Sequence, residues 1–163
     1  MSRIAAALLV ALAFATSADA QEASAFLSIY TPLGIDDLDE DLPPSAELRF
    51  TVSLSDRFAL EPFVTVGSQA NRSVGPEGFY GAQIRQRIVR LTGESGYAYV
   101  TYGVAAYYSK YGSLAPVIGQ FGFGLRRRVS GQVGFRPEVQ LVTFHVVPIG
   151  VRFLAGLSVD LGR

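Results

Sequence analysis

The sequence predicts an all-β protein: eight antiparallel strands in up-and-down order, closed into a barrel behind a cleaved leader. Three observations carry this. Past residue 20, apolar and polar side chains alternate with period two, broken by turn residues every 10 to 16 positions, and no stretch shows a helical 3.6-residue repeat. The connections alternate in character, compact ones with longer ones, as in a meander that turns tightly at one end. Glycines and charged residues share one face of the strands, and the large apolar residues take the other.

The leader comes first. Arg3 supplies a positive start, residues 4–15 (IAAALLVALAFA) form a 12-residue apolar run, and Ala18-Asp19-Ala20 offers a small-x-small cleavage site. The run is too short to span a bilayer as a helix, which takes roughly 17–25 residues. The other reading of this run is a buried N-terminal helix. Residues 1–20 are therefore expected to be a signal peptide and residues 21–163 the barrel domain. Removing Arg3 and Asp19 leaves 13 charges of each sign. No later stretch has 18 consecutive apolar residues, so a membrane crossing has to be made by strands.

Strands are expected near residues 25–32, 46–54, 58–67, 79–90, 97–108, 116–128, 132–143 and 147–161. The second sets Leu48, Phe50, Val52 and Leu54 against Glu47, Arg49, Thr51 and Ser53. In the fourth, Tyr80, Ala82, Ile84 and Ile88 oppose Gly81, Gln83, Arg85 and Arg87. The seventh opposes Val133, Phe135, Val139 and Leu141 to Gly134, Arg136, Glu138 and Gln140. The eighth carries Ile149, Val151, Phe153, Leu157 and Val159 opposite Gly150, Arg152, Gly156, Ser158 and Asp160. Compact connections fall at residues 55–57, 91–96 and 129–131; longer or more polar ones fall at 33–44, 68–78 and 109–115, with a tight one around His145.

Alternation alone does not say which face is inside. Glycine decides it: Gly67, Gly81, Gly103, Gly122, Gly124, Gly134, Gly150 and Gly156 share parity with the charges, and only Gly119 does not. On a water-facing surface so many strand glycines weaken a sheet for nothing. Inside an eight-stranded barrel, barely wide enough for side chains, they make room for long arginines. The polar parity also carries both signs, Arg49, Arg85, Arg87, Arg126, Arg128, Arg136 and Arg152 against Glu47, Glu61, Glu138 and Asp160. Fork-shaped guanidinium–carboxylate pairs satisfy charges where water is scarce. The expected interior network is Glu47, Arg49, Glu61, Arg85, Arg87, Arg136, Glu138, Arg152 and Asp160, centred on Arg85, Arg136, Glu138 and Arg152. The apolar parity holds almost no charge except Arg127 at a strand end, and a lipid-facing Arg at mid-membrane costs roughly 2–4 kcal/mol.

Aromatic residues at strand ends suggest two belts where lipid meets water: Tyr30, Phe79, Tyr80, Tyr107, Tyr108 and Phe144 beside the longer loops, and Phe58, Tyr97 and Tyr99 beside the shorter turns. The alternative is the general abundance of aromatics in strands. Pro62 and Pro137 fall inside expected strands, where a closed barrel offers no edge to hide a missing N–H; bulges there, or shifted strand boundaries, are the two ways out.

Composition removes most other functions. Basic and acidic residues both number 14, which disfavours nucleic acid as a partner. The absence of cysteine excludes disulfides, thiolate metal sites and cysteine nucleophiles, and one histidine excludes a multi-histidine zinc site. His145 has no serine within ten residues before it and Val146-Val147 after it, so a barrel lipid hydrolase is a remote alternative. The acidic run 36–41 (DDLDED) lacks the glycine of a calcium loop, since Leu42 stands in its place, and reads as a solvated loop. Gly122-Phe123-Gly124 lies mid-strand with no helix after it, so it is not a phosphate loop. No cofactor is implied.

Two segments, residues 55–64 (SDRFALEPFV) and the closing 151–161 (VRFLAGLSVDL), make the whole mature chain resemble the small outer-membrane β-barrels of Gram-negative bacteria, the OmpA/OmpX-like and opacity-porin-like proteins. The closing segment is similar to the C-terminal signal read by the barrel-assembly machinery, with Gly156, Val159 and Leu161 matching its glycine-x-x-apolar-x-apolar core. Leu154 departs from it by standing where a polar residue is usual, and the chain closes on Gly162-Arg163 instead of an aromatic. The resemblance implies a transmembrane barrel in the outer membrane, in contact with outer-membrane lipid and lipopolysaccharide and monomeric. The resulting expectation is a structural, surface-interaction or narrow-pore role without catalysis. The rival from another class is a soluble exported barrel that binds a small apolar ligand inside.

Overall fold

The structure, a computed structural model, describes residues 20–33, 44–67, 78–91, 96–108, 117–144 and 147–161. Eight strands follow one another: β1 (Ala20–Pro32), β2 (Ser45–Ser53), β3 (Phe58–Gly67), β4 (Gly78–Arg90), β5 (Gly96–Tyr108), β6 (Val117–Ser130), β7 (Val133–Phe144) and β8 (Val147–Asp160). Each pairs antiparallel with its sequence neighbours, and β1 pairs also with β8, so the sheet closes into a barrel in plain up-and-down order. A closed sheet has no edge, and hence no exposed row of backbone donors and acceptors. The strand bounds agree with the sequence-based ones to within two residues, except that β1 begins at Ala20, five residues before the expected 25. The expected signal peptide lies, but for Ala20, outside the described residues.

The period-two pattern becomes an inside and an outside. Along β6, Ile118, Gln120, Gly122, Gly124 and Arg126 are buried, while Phe121 and Phe123 are 54% and 51% exposed. Leu27, Val104, Phe153 and Leu157 project outward in the same way from β1, β5 and β8. The interior holds Glu22, Glu47, Glu61, Glu138 and five buried arginines. A water-soluble barrel has the reverse polarity, so the rival reading of a soluble carrier with an apolar cavity does not hold.

The two strand prolines are accommodated by neither a bulge nor a shifted boundary. Pairing of β2 with β3 runs to Arg49–Phe63 and resumes at Val52–Leu60 in the same register. Pairing of β6 with β7 runs to Gly124–Glu138 and resumes at Arg127–Phe135, again unshifted. Pro62 and Pro137 sit in these two short interruptions, each still paired on its other side, with Ala82 and Ala155. The missing N–H is thus absorbed by a local break in one ladder. The register shifts lie elsewhere, between Ala20 and Glu22, Arg87 and Val89, Arg128 and Ser130, and Val142 and Thr143, all toward strand ends. The β6–β7 turn is a tight one in which Gly131 adopts φ +47°, a left-handed conformation that glycine takes without steric cost.

Three interior glycines make room for aromatic rings, and others for close backbone or small polar side chains. A Cβ on Gly124 would lie 2.5 Å from Cζ and Oη of Tyr99, and one on Gly156 would lie 2.5 Å from Cδ1 of Phe26. Gly150 is covered by the Tyr30 ring, and Gly134 alone of these lies against an arginine, with Arg126 Cζ at 3.1 Å. This corrects the expectation that the glycines serve the arginines. It also corrects the aromatic belts: Tyr30, Phe79, Tyr97 and Tyr99 share parity with the charges and turn inward, because face is set by alternation and not by nearness to a strand end. Tyr99 is fully buried, whereas Phe58, Tyr80 and Phe144 are exposed. The side chains of Tyr107 and Tyr108 lie outside the described residues.

Gly124→Val is expected to destabilise the barrel by about 1–3 kcal/mol through overpacking against Tyr99, whereas Ala155→Val on the outer face stays within about 0.5 kcal/mol. Urea midpoints in detergent micelles check the pair; equal midpoints would contradict the packing described.

Candidate functional site

The candidate site is the polar interior. Alternation along β1, β2, β3, β7 and β8 brings Glu22, Glu47, Arg49, Glu61, Arg136, Glu138 and Arg152 to one axis, each nearly inaccessible to solvent. A charge in so dry a place is tolerable only when opposed and hydrogen-bonded. Every carboxylate here meets that condition.

Glu61 is the hub. Arg136 Nη2 lies 3.1 Å from its Oε1 and 3.2 Å from its Oε2, Arg85 Nη1 lies 3.1 Å from Oε1, and Arg49 Nη1 lies 3.6 Å from Oε2. The Thr51 hydroxyl donates to it at 2.8 Å and the Gln83 amide at 2.9 Å. Glu138 accepts from Arg49 Nη1 at 2.8 Å, the Tyr99 hydroxyl at 2.9 Å, Thr101 Oγ1 at 3.2 Å and Gln140 Nε2 at 2.7 Å. Glu47 is held by Arg49 Nε, by Arg152 Nη2 at 2.6 Å and by the Thr65 hydroxyl at 2.7 Å. Glu22 lies 3.3 Å from each of Arg85 Nη1, Arg126 Nε and Arg136 Nη1.

The aromatic rings complete the lining. The Arg49 guanidinium stacks 4.3 Å from the centroid of Phe26, and Arg136 lies 5.1 Å from both Phe26 and Tyr99. A cation over a ring face is attracted by the quadrupole, and more strongly once both are dehydrated. Toward the ends of β3, β5, β6 and β7 that meet the longer connections, the lining changes to an apolar cluster. Phe63, Ala105, Ile118 and Val142 form it, with Tyr30 and Phe79 packed on it, and Arg152 sits 5.7 Å over Phe79 where the two zones meet.

No family model and no curated protein matches the sequence. Solved structures match its fold. The N-terminal β-barrel domain of Pseudomonas aeruginosa OprF aligns with 86% of this chain and 98% of its own, with a TM-score of 0.60 at 10% identity. The Yersinia pestis outer membrane protein Ail, in a phospholipid bilayer nanodisc, aligns with 86% of this chain and 99% of its own, with a TM-score of 0.53 at 12% identity. A de novo designed transmembrane β-barrel covers 86% of this chain and 96% of its own, with a TM-score of 0.57 at 11% identity. The fold is that of the small outer-membrane β-barrels. At such identities the likeness lies in the path of the backbone.

Of the nine residues expected in the interior network, Glu47, Arg49, Glu61, Arg85, Arg136, Glu138 and Arg152 are buried together. Arg87 and Asp160 sit at the rim near the short turns, Arg87 stacked 4.3 Å from the Tyr97 centroid and Asp160 paired with Arg126 at 2.6 Å and Arg128 at 3.7 Å. The centre is also displaced from the expected one. Arg85 binds Glu61 and Glu22, and Arg152 reaches Glu138 only through Gln140, to which it donates at 3.2 Å. Sequence reasoning missed Glu22 and Ser24 because the first strand was expected to start at 25, and it missed the inward Phe26 because the faces of that strand were not assigned; the run Glu22-x-Ser24-x-Phe26-x-Ser28, with Ala23, Ala25 and Leu27 between, carried the signal. Leu154 occupies a lumen position and is buried there. His145 and the acidic run 36–41 lie outside the described residues.

Glu61→Ala strips three arginines of their shared partner and is expected to cost about 3–5 kcal/mol, the range for breaking a buried ion pair on one side. Asp160→Ala, at the partly exposed rim, is expected to cost at most about 1 kcal/mol. Equilibrium unfolding of both variants in the same detergent orders them; equal losses would contradict Glu61 as the hub.

Proposed function

We propose that this protein is an integral outer-membrane barrel whose body is a sealed structural plug and whose role is structural or in surface interaction, without catalysis. The observation that carries the reading is its inverted polarity, with large apolar side chains outside and mutually neutralised charges inside. An exterior bearing Leu27, Ile88, Val104, Phe121, Phe153 and Leu157 suits acyl chains and is a liability in water. In this reading the outward face meets outer-membrane lipid and lipopolysaccharide, β8 is read by the barrel-assembly machinery during insertion, and the barrel is a monomer. The chain ends and short turns face the periplasm.

A narrow pore is the second reading, and the interior weighs against it. An ion moving along the axis has to pass Arg49, Arg136, Glu61 and Glu138 in direct contact with one another, and then the Phe63–Ile118–Val142 cluster. Eight strands leave space for little beyond side chains.

Refolded protein in a planar bilayer is expected to give no regular conductance steps, and reproducible steps would overturn the sealed lumen. The membrane location predicts detergent-dependent extraction and heat-modifiable migration on a denaturing gel; release by salt alone would overturn it. Phe123→Arg, placing a guanidinium on the outer face, is expected to cost about 2–4 kcal/mol in vesicles if that face meets acyl chains.

A further inference from the structure

The two mid-strand prolines occupy matching places. Each directly follows a buried charge, Glu61-Pro62 in β3 and Arg136-Pro137 in β7, and each charge is the fourth residue of its strand. In a closed ring of eight, β3 and β7 lie opposite one another. At the first dipeptide the β2–β3 ladder omits Phe50 opposite Pro62 and Thr51 opposite Glu61. At the second the β6–β7 ladder omits Leu125 opposite Pro137 and Arg126 opposite Arg136. Among the described residues the other six ladders are continuous, save for register shifts toward strand ends. The wall is thus two four-stranded halves, β3 to β6 and β7-β8-β1-β2, joined by two seams that both thin close to the short turns.

Across the lumen the two thinned places are joined directly. Arg136 Nη2 lies 3.1 Å from Glu61 Oε1 and 3.2 Å from Oε2, so the guanidinium before one proline holds the carboxylate before the other. Further contacts cross between the halves: Arg85 and Arg126 reach Glu22, Arg126 reaches Asp160, Arg49 reaches Glu61 and Tyr99 donates to Glu138. Among these ion pairs, Glu61–Arg136 is the one that runs from interruption to interruption. Glu47 differs, because both of its arginines, Arg49 and Arg152, belong to its own half. Its bond from β3 comes from the Thr65 hydroxyl, which the oxygen of a glutamine also accepts. At the other end of the lumen, Phe63, Ala105, Ile118 and Val142 pack the halves together without charge. Local opening starts where backbone bonds are fewest, and a proline removes one from its ladder.

We propose that the interruptions at Pro62 and Pro137 are paired hinges along which the short-turn end of the wall parts, and that the Glu61–Arg136 ion pair is the latch that holds both shut. With the latch closed, the interior is dry. With it released, the halves separate first at these two seams, and water enters from the short-turn end while the apolar cluster keeps the other end closed. Neutralising one partner releases it, because the remaining buried charge then gains from hydration.

The test is amide hydrogen exchange of the full chain in phospholipid nanodiscs, followed by NMR. In the wild type, amides directed into the β2–β3 and β6–β7 seams beside the prolines are expected to exchange about fivefold or more faster than amides at the same level in the β1–β8 and β5–β6 seams, the equivalent of about one net backbone hydrogen bond. Glu61→Gln is expected to raise that ratio about tenfold or more, whereas Glu47→Gln, which removes an equally buried carboxylate from within one half, leaves it unchanged. The double variant Pro62→Ala, Pro137→Ala restores the missing N–H groups and is expected to bring the ratio toward unity. Should Glu61→Gln fail to fold, Arg136→Lys, which keeps the charge and loses the guanidinium fork, takes its place and is expected to raise the ratio in the same direction. Equal exchange in all four seams of the wild type overturns the hinges. A ratio that Glu61→Gln or Arg136→Lys moves no more than Glu47→Gln does overturns the latch. Both of those outcomes leave the outer-membrane reading intact, since that reading is tested separately by detergent-dependent extraction.

Discussion

The structure depends on the mutual neutralisation of guanidinium and carboxylate groups inside a sheet too narrow to hydrate them. Buried singly, any of these charges is prohibitive, because desolvation costs several kcal/mol per ion even after relaxation. Buried together they become permissible. Glu61 is approached by three arginines, Glu22 by three and Glu47 by two, and hydroxyl and amide donors fill further lone pairs. Such an array forms only when the sheet is closed. Arg49 and Glu138 are 89 residues apart and meet at 2.8 Å because β2 and β7 face each other across the axis. The network is therefore a report of correct closure, which an open sheet or a slipped register would not assemble.

Sending the charges inward has a consequence on the other face. With period two there is no third place for side chains, so each inward arginine or glutamate sets an apolar neighbour outside. The two interrupted ladders, at Pro62 and Pro137, lie on opposite sides of the barrel and adjoin Glu61 and the Arg136–Glu138 pair. Beside Pro62, the Thr51 hydroxyl of β2 donates to Glu61 of β3 across the interruption. The proposed sealed body follows from the same segregation.

Much of this was legible in the chain. Alternation along residues 46–54 and 132–143 gave both strands and both faces, and the parity shared by Gly122, Gly124 and Gly134 with Arg126 and Arg136 gave the inside. What alternation does not encode is the stagger between distant strands. Whether Arg136 meets Glu61 or Glu138 depends on barrel shear, and for that reason the network was expected around Arg85, Arg136, Glu138 and Arg152, whereas Arg85 and Arg136 converge on Glu61. Glu22 was hidden by the leader ahead of it, which drew the expected first strand away from its true start. Tyr97 and Tyr99 were read by position along the strand when parity decides; both are inward, and Tyr99 fills the space left by Gly124. The prolines posed a question that sequence could only divide into bulge or boundary error, and the backbone answers it with a third arrangement that keeps the register.

The most direct test of a dry, mutually neutralised interior is solution NMR of the barrel in nanodiscs, observing guanidinium N–H protons at neutral pH. Exposed guanidinium protons exchange with water too fast to be seen. A dry interior gives resolved, slowly exchanging Nε–H and Nη–H signals for Arg49, Arg136 and Arg152, with contacts from Arg49 to the Phe26 ring. Rapid exchange of all three, at the rate of an exposed arginine such as Arg57, would mean a hydrated lumen and would contradict it.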